Sequence, residues 1–399
     1  MFCNIFSFSI LATLVSLIIG EKYANEAEIL KRDRRAILIK RKFNYTLPIP
    51  IYFNFGSPQK YINRALKDLS KYTCIEFEKQ KREFEGPGIV FESSDCNEIE
   101  YGIDHGEPTN ILLDYNCLRN VGCVKHYVGL ALGLIPHQNR WDRNDYVRIF
   151  YNMISTENKK EYDKVRGTDV RIFNTAFDFG SLMNYEATYL SPVKEKVFVS
   201  KWHNLYNDML GQRDDYTHND IKLLNDWYCG NKCTPKVKGC KNGGYPDPLV
   251  CGQCRCPRGY AGKQCTLVDR RKVCGQQYFR ASNKFQTITL DKNGTCSYKI
   301  TSQPRTKIQI IVEKANTKQV RPCIPKDGLE IKNRYDKGAT GLSLCGSYDK
   351  PVKMKPIFSE AMVIFSKRRP EDIAVIKFKA VSAQEAAKFD YDDNYYYKN

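Results

Sequence analysis

The sequence predicts an α+β fold, a mixed sheet packed with helices, followed by a small disulfide-rich β module and then a β-sandwich. Three observations lead there. Between residues 47 and 147 short strand-like runs are interrupted by stretches with helical spacing. From Cys229 to Cys265 seven cysteines crowd together, a density that small loop-rich modules use in place of a large core. Beyond Cys274 the chain turns to runs such as KFQTITL, KIQIIVE and AVIKFKAV, divided by Gly, Pro and Asn. At 399 residues the chain is long enough for two or three separate cores.

The elements follow in order. Residues 1–20, MFCNIFSFSILATLVSLIIG, form an uncharged apolar block that reads as a cleaved secretory signal peptide, with an uncleaved anchor as the alternative. Sixteen cysteines fit export, and losing Cys3 with the leader leaves fifteen, so one is free or pairs with another molecule. A net charge of +18 on a secreted chain reads as a solvated basic surface, with acidic glycans and anionic surfaces as the alternative partners and nucleic acid set aside. Residues 21–35 are a short charged propeptide-like segment ending in the basic run RDRR. LPIPIYFNF (47–55) alternates apolar and polar positions and carries two prolines, which predicts an edge strand. Ser57 and Pro58 open a helix with Ile62, Ala65, Leu66 and Leu69 on one face. Strands follow at CIEFEK, GIVFES and NILLDY, patterns thin out over 155–229, and a helix ends near DIKLLNDWYC. The sequons at Asn44 and Asn293 place those segments on the surface if glycosylated. An acidic, tyrosine-rich tail over 382–399 is expected to be disordered.

The stretch CRCPRGYAGKQC (254–265), preceded by Cys233, Cys240 and Cys251, resembles an EGF-like module, here residues 230–266. That resemblance implies the pairs Cys233–Cys251, Cys240–Cys254 and Cys256–Cys265; spacing alone leaves about fifteen connectivities open. Residues 274–381, with CIPKDGLEI and LCGS, resemble a CUB domain and so imply Cys274–Cys296 and Cys323–Cys345. A peptidase-like domain (36–229), then EGF-like, then CUB is the order found in the astacin zinc metalloproteases (peptidase family M12A), and in their secreted nematode members in particular. The family further implies Cys74–Cys229 and Cys96–Cys117, leaving Cys123 as a buried free thiol.

Active members of that family carry HExxHxxGxxHE followed by xxRxDRxxYV. Two histidines at i and i+4 share a helix face, a glycine turns the chain, a third histidine completes the zinc site, and the glutamate takes a proton from zinc-bound water. The stretch GCVKHYVGLALGLIPHQNRWDRNDYV (122–147) is similar in rhythm but keeps only His126 at the first ligand position and Gly133 at the turn. Tyr127 stands at the base position, Leu130 and Pro136 at the other ligand positions, and His137 where a glutamate follows. SLMNY (181–185) resembles the Met-turn, with Met183 as apolar flooring and Tyr185 at the place of a tyrosine that can ligate zinc. No catalytic set is intact, and no cofactor is expected, although zinc is the cofactor of the family. The expected function is therefore a secreted pseudoprotease that binds an extracellular protein or peptide, with no membrane span after signal cleavage. Two alternatives remain: a zinc endopeptidase with a non-standard site, in which His137 slips by one residue to join His126, and a basic matrix protein that binds acidic glycans.

Overall fold

In the structure, a computed structural model that describes residues 35–38, 45–54 and 59–389, the first sheet has five strands. Their order is Phe77–Lys79, Ile49–Phe53, Ile89–Ser93, Thr109–Leu113 and Glu98–Glu100. All neighbours run parallel except the last pair. Alternate residues Ile49, Ile51 and Phe53 turn inward, as do Thr109, Ile111 and Leu113, the period-two burial of a pleated strand. The helix Gln59–Ser70 lays Ile62, Ala65, Leu66 and Leu69 into the same core, and the helix Val121–Ala131 packs beside it.

The strand Ile49–Phe53 is not at the edge. It lies between Phe77–Lys79 and Ile89–Ser93, and a staggered register makes Pro50 tolerable there. Ile49 N donates to Glu76 O and Gln80 N donates to Ile51 O, so the odd residues bond on the first side. The ladder to Ile89–Ser93 begins only at Ile51, past the missing N–H of Pro50. The Ser57–Pro58 helix start, the Asn44 sequon, the leader, most of the 21–35 segment and the tail beyond 389 lie outside the described residues. Asn293 is exposed at the turn into Gly294.

One cysteine pairing departs from the expectation. Cys117 bonds Cys123, with Cα atoms 5.2 Å apart, instead of Cys96. Asp114 caps the short helix Tyr115–Leu118 by accepting from Cys117 N at 2.7 Å. The chain then turns at once into Val121–Ala131, where the Asn120 side chain accepts from Gly122 N and Cys123 N. This turn carries Cys123 into bonding range of Cys117. Cys96 is the exposed free thiol among the described residues, and Cys123 is bonded. The other pairs are Cys74–Cys229, Cys233–Cys251, Cys240–Cys254, Cys256–Cys265, Cys274–Cys296 and Cys323–Cys345.

After residue 147 short 3-10 turns dominate, until the helix His218–Tyr228 begins at a reciprocal Thr217–Asp220 cap. The small module contributes two two-stranded pairs. The C-terminal part is a sandwich of two five-stranded sheets. Its last strand runs to Ser382, which caps the helix Ala383–Ala387 against it. Residues 382–387 thus belong to the sandwich, because a Ser-to-Glu385 capping box lets the chain fold back.

The sandwich is fused to the domain before it. Phe177, Phe179, Tyr206 and Met209 share one apolar core with Cys323, Leu342, Leu344 and Phe365. The sandwich loop 333–340 reaches across. Arg334 Nη2 donates to Phe177 O at 2.8 Å, and its guanidinium lies 5.5, 5.6 and 5.7 Å from the rings of Phe179, Trp202 and Tyr206. Asp336 accepts from Ala176 N at 2.9 Å and Asn219 Nδ2 at 2.8 Å. These bonds clamp the segment that leads into the 181–185 turn.

Candidate functional site

The helix Val121–Ala131 is apolar almost all round, and its one buried cation is paired. Lys125 Nζ meets Asp215 at 2.9 Å and Asp68 at 3.2 Å, which ties the helix to its neighbours. Gly133 ends the helix with a φ of 94°, a left-handed conformation that glycine adopts without a Cβ penalty. Its N–H returns to Leu130 O, and its carbonyl accepts from Leu38 N.

His126 sits mid-helix and fully buried. Its Nδ1 lies 2.9 Å from Leu182 O, and a carbonyl only accepts, so Nδ1 carries the proton and Nε2 holds a lone pair. Nε2 has no partner among the described residues. Burial, then the nearby Arg213, pushes the His126 pKa down to about 3, against a smaller lift from the Leu182 carbonyl. The imidazole is neutral. Tyr127 and Tyr185 cover it edge-on, each with its ring centroid 5.2 Å away.

The other ligand positions offer nothing to a metal. Leu130 is buried in the core. The Pro136 carbonyl is taken by Asn139 N at 2.9 Å. His137 is buried elsewhere: its Nδ1 accepts from Asp178 N at 3.1 Å, and its ring packs on Phe177. The structure therefore commits His137 to the turn beneath the sandwich loop and leaves it out of any slip towards His126. At the base position, Tyr127 has its pKa pushed up to about 12, burial being the main cause, and its hydroxyl donates to Asn97 O at 3.4 Å. A neutral phenol of this kind is no proton acceptor.

The 181–185 turn is held from below. Ser181 Oγ donates to Asp220 at 2.6 Å, Leu182 N donates to the same carboxylate at 3.1 Å, and Met183 N donates back to Ser181 Oγ at 3.0 Å. Met183 is buried, and a Cβ on Gly129 would lie 3.0 Å from its sulfur. Tyr185 stacks on Tyr189 with centroids 3.9 Å apart, and burial, before any charge, drives its pKa far above the usual phenol range.

Arg213 is the residue that sequence reasoning missed. Its Nη1 donates to the carbonyls of Leu182, Asn184 and Gln212 at 3.3, 2.9 and 2.8 Å, and its guanidinium carbon lies 5.6 Å from the Tyr185 ring. Gly122 makes room for it, since a Cβ there would meet Arg213 O at 1.7 Å. Nothing in GQRDD marks this arginine from sequence, because it enters the site from a loop without periodicity. Zinc does not fit the residues present. One neutral nitrogen faces the site, no carboxylate or second imidazole joins it, and a fixed guanidinium shares the Leu182 carbonyl with it. Among the described residues no group of three or more His, Cys, Asp or Glu could hold a metal ion.

Comparison with known proteins places this geometry in context. The family described as Astacin (Peptidase family M12A) matches residues 41–229. The zinc metalloproteinase dpy-31 of Brugia malayi is 29% identical over 361 residues, covering 86% of this chain and 60% of that protein. Its counterpart from Haemonchus contortus is 30% identical over 340 residues, with 82% and 62% covered. The zinc metalloproteinase nas-30 of Caenorhabditis elegans is 27% identical over 342 residues, covering 84% and 44%. The chain thus spans about 60% of the length of the dpy-31 proteins it matches. Among solved structures, the hatching enzyme zinc-protease high choriolytic enzyme 1 of Oryzias latipes is 25% identical, covering 45% of this chain and 88% of that one, with a TM-score of 0.41.

Proposed function

Since residues 41–229 belong to the astacin family, we propose that the chain is a secreted astacin-like pseudoprotease that binds an extracellular protein or peptide without hydrolysing it. One observation carries this reading. The family's metal and its base both require side chains that are replaced here, by Tyr127, Leu130 and Pro136, and the structure packs each replacement into a role of its own. The fold does not need the ion, because Leu130 buries its apolar surface in the same core and contributes about 1.5–3 kcal/mol.

The modules at 230–266 and 274–381 are read as EGF-like and CUB, which supply further binding surface. Secretion is supported by the seven disulfides among the described residues. No helix among the described residues is long and apolar enough to cross a membrane. The charge of +18 favours acidic glycans as an additional surface partner, which heparin retention that disappears in moderate salt would demonstrate.

Metal content and a broad peptide-library assay on one purified sample test the reading. Substoichiometric zinc with peptide retention and no cleavage is expected. Near-stoichiometric zinc that is lost in His126→Ala, together with cleavage, would establish the unorthodox zinc endopeptidase instead.

A further inference from the structure

The small module at 230–266 carries its charge almost entirely in one sign. Asp247 is the single acid in that stretch, and it is already paired with Arg255 at 3.1 Å. Just beyond, Asp269 is paired with Arg271 at 3.4 Å, and Arg258 is held by Glu330 of the sandwich at 2.9 Å. Lys236 lies near enough to Asp226 to oppose the upward push of burial on that carboxyl. Lys238, Lys241 and Lys263 have no such partner: all three are exposed, and among the described residues none makes an ion pair.

Backbone bonds bring these three positions together. Lys241 N donates to Gln264 O at 3.0 Å, Gln264 Nε2 donates to Lys238 O at 3.0 Å, and Cys254 N donates to Lys263 O at 2.8 Å. Gly239, with a φ of 81°, lets the two segments close up, since a Cβ there would lie 3.0 Å from Gln264 Nε2. The disulfides Cys240–Cys254 and Cys256–Cys265 staple both segments to one frame. The attachment points of the lysines are therefore fixed before any ligand arrives. Val237 and Cys240 pack onto the module's small core, and Leu267 is exposed beside the Lys263 turn, too little apolar surface for insertion into a lipid face. Three like charges held close without a counter-anion repel one another, and a chain of anions relieves that repulsion while releasing its own counterions. Point-like ammonium groups, unlike guanidinium forks, do not demand one ligand geometry.

We infer that Lys238, Lys241 and Lys263 form the docking face for an extended polyanionic glycan that carries sulfate or carboxylate groups along its length. This rests on the acidic-glycan reading above and gives it a place in the fold, remote in sequence from the degenerate metal motif.

The test uses the full secreted chain and immobilised heparin, with affinity measured over a series of salt concentrations. A triple variant, Lys238→Gln, Lys241→Gln and Lys263→Gln, is compared with a control of equal net charge, Lys159→Gln, Lys196→Gln and Lys353→Gln, whose lysines are also exposed. The first is expected to bind at least about tenfold more weakly at about 0.15 M salt. Its slope of log affinity against log salt should be shallower by about two to three. The control should stay within about threefold of the parent. Heparin stripped of sulfate but keeping its carboxylates separates the two anions, because binding that survives assigns the carboxylates and binding that is lost assigns the sulfates. Should the triple variant fold poorly, Lys263→Gln alone is expected to lower the slope by about one. A loss no larger in the first triple variant than in the control, or an unchanged slope in folded Lys263→Gln where it stands in, overturns this face and leaves glycan binding to the net charge. No heparin binding by the parent overturns both. Phosphatidylserine vesicles that bind the parent where heparin does not would assign the lysines to a membrane and likewise overturn the inference.

Discussion

Replacing Arg334 is expected to uncouple the sandwich from the peptidase-like domain. Its guanidinium is buried, lies within 5.7 Å of the ring centroids of Phe179, Trp202 and Tyr206, and donates to Phe177 O. A desolvated cation–π contact is worth about 0.5–2 kcal/mol, and a hydrogen bond from a charged donor about 1.5–3 kcal/mol. Against these stand the desolvation of the cation and an Nη1 that lacks a partner among the described residues. The net value of the arginine is therefore well below the sum of its contacts. Arg334→Ala leaves a cavity between three rings and strands the Phe177 carbonyl, so a loss of about 3–5 kcal/mol follows. Arg334→Met refills the space with a soft side chain that favours aromatic edges, and the loss falls to about 1–2 kcal/mol. Urea denaturation with disulfides intact, followed by tryptophan fluorescence, reads both, because Trp202 is one of the three rings. The parent chain is expected to unfold its fused core in one transition, and Arg334→Ala to split or lower it. An Arg334→Ala variant within about 0.5 kcal/mol of the parent, a shift typical of surface changes, would refute the clamp; so would two independent transitions in the parent.

Two further expectations follow from buried groups. His203 caps a 3-10 turn by accepting from Leu205 N at 3.2 Å, and burial pushes its pKa down from 6.5 to about 4. Its stabilising contribution is present above pH 6.5 and falls by about 1.4 kcal/mol per pH unit as pH drops towards 4. Asp220 acts in the opposite sense, since burial raises its pKa to about 6. Comparing His203→Asn, which keeps a capping acceptor, with the parent isolates the histidine: the variant's melting temperature should fall less between pH 6.5 and 4. Parallel curves would contradict the assignment. For the cysteines, alkylation of the native mature chain should label Cys96 alone. In Cys123→Ser the partner Cys117 becomes available to Cys96, and labelling of Cys96 should fall on peptide mapping. Undiminished labelling at both positions would show that the turn holds them apart.

What could be read from the sequence depended on whether the controlling interaction was local. Ile62, Ala65, Leu66 and Leu69 recur at helical spacing, and that spacing alone turns them into the core. The prolines of 47–55 suggest an edge, yet the strand Ile49–Phe53 lies inside the sheet, because a stagger of two residues between its two ladders, which no local pattern encodes, decides whether the missing N–H of Pro50 matters. Cys117 pairs with Cys123 and not with Cys96, because the turn between two helices lies outside any cysteine spacing rule. Identity at the metal positions was legible in His126, Tyr127, Leu130 and Pro136. The charge that faces them was not. Arg213 comes from a loop far along the chain and is placed by three carbonyls, contacts that any residue sequence can supply. A degenerate motif therefore reports which chemistry has gone, while the groups that replace it arrive through backbone geometry. For this chain that separation has a consequence: returning the family's histidines and glutamate to 127, 130 and 136 would rebuild a ligand set beside a fixed guanidinium. The same grafts combined with Arg213→Gln should therefore bind zinc more tightly than the grafts alone, and equal affinities would show that the cation at 213 is electrostatically silent at the site.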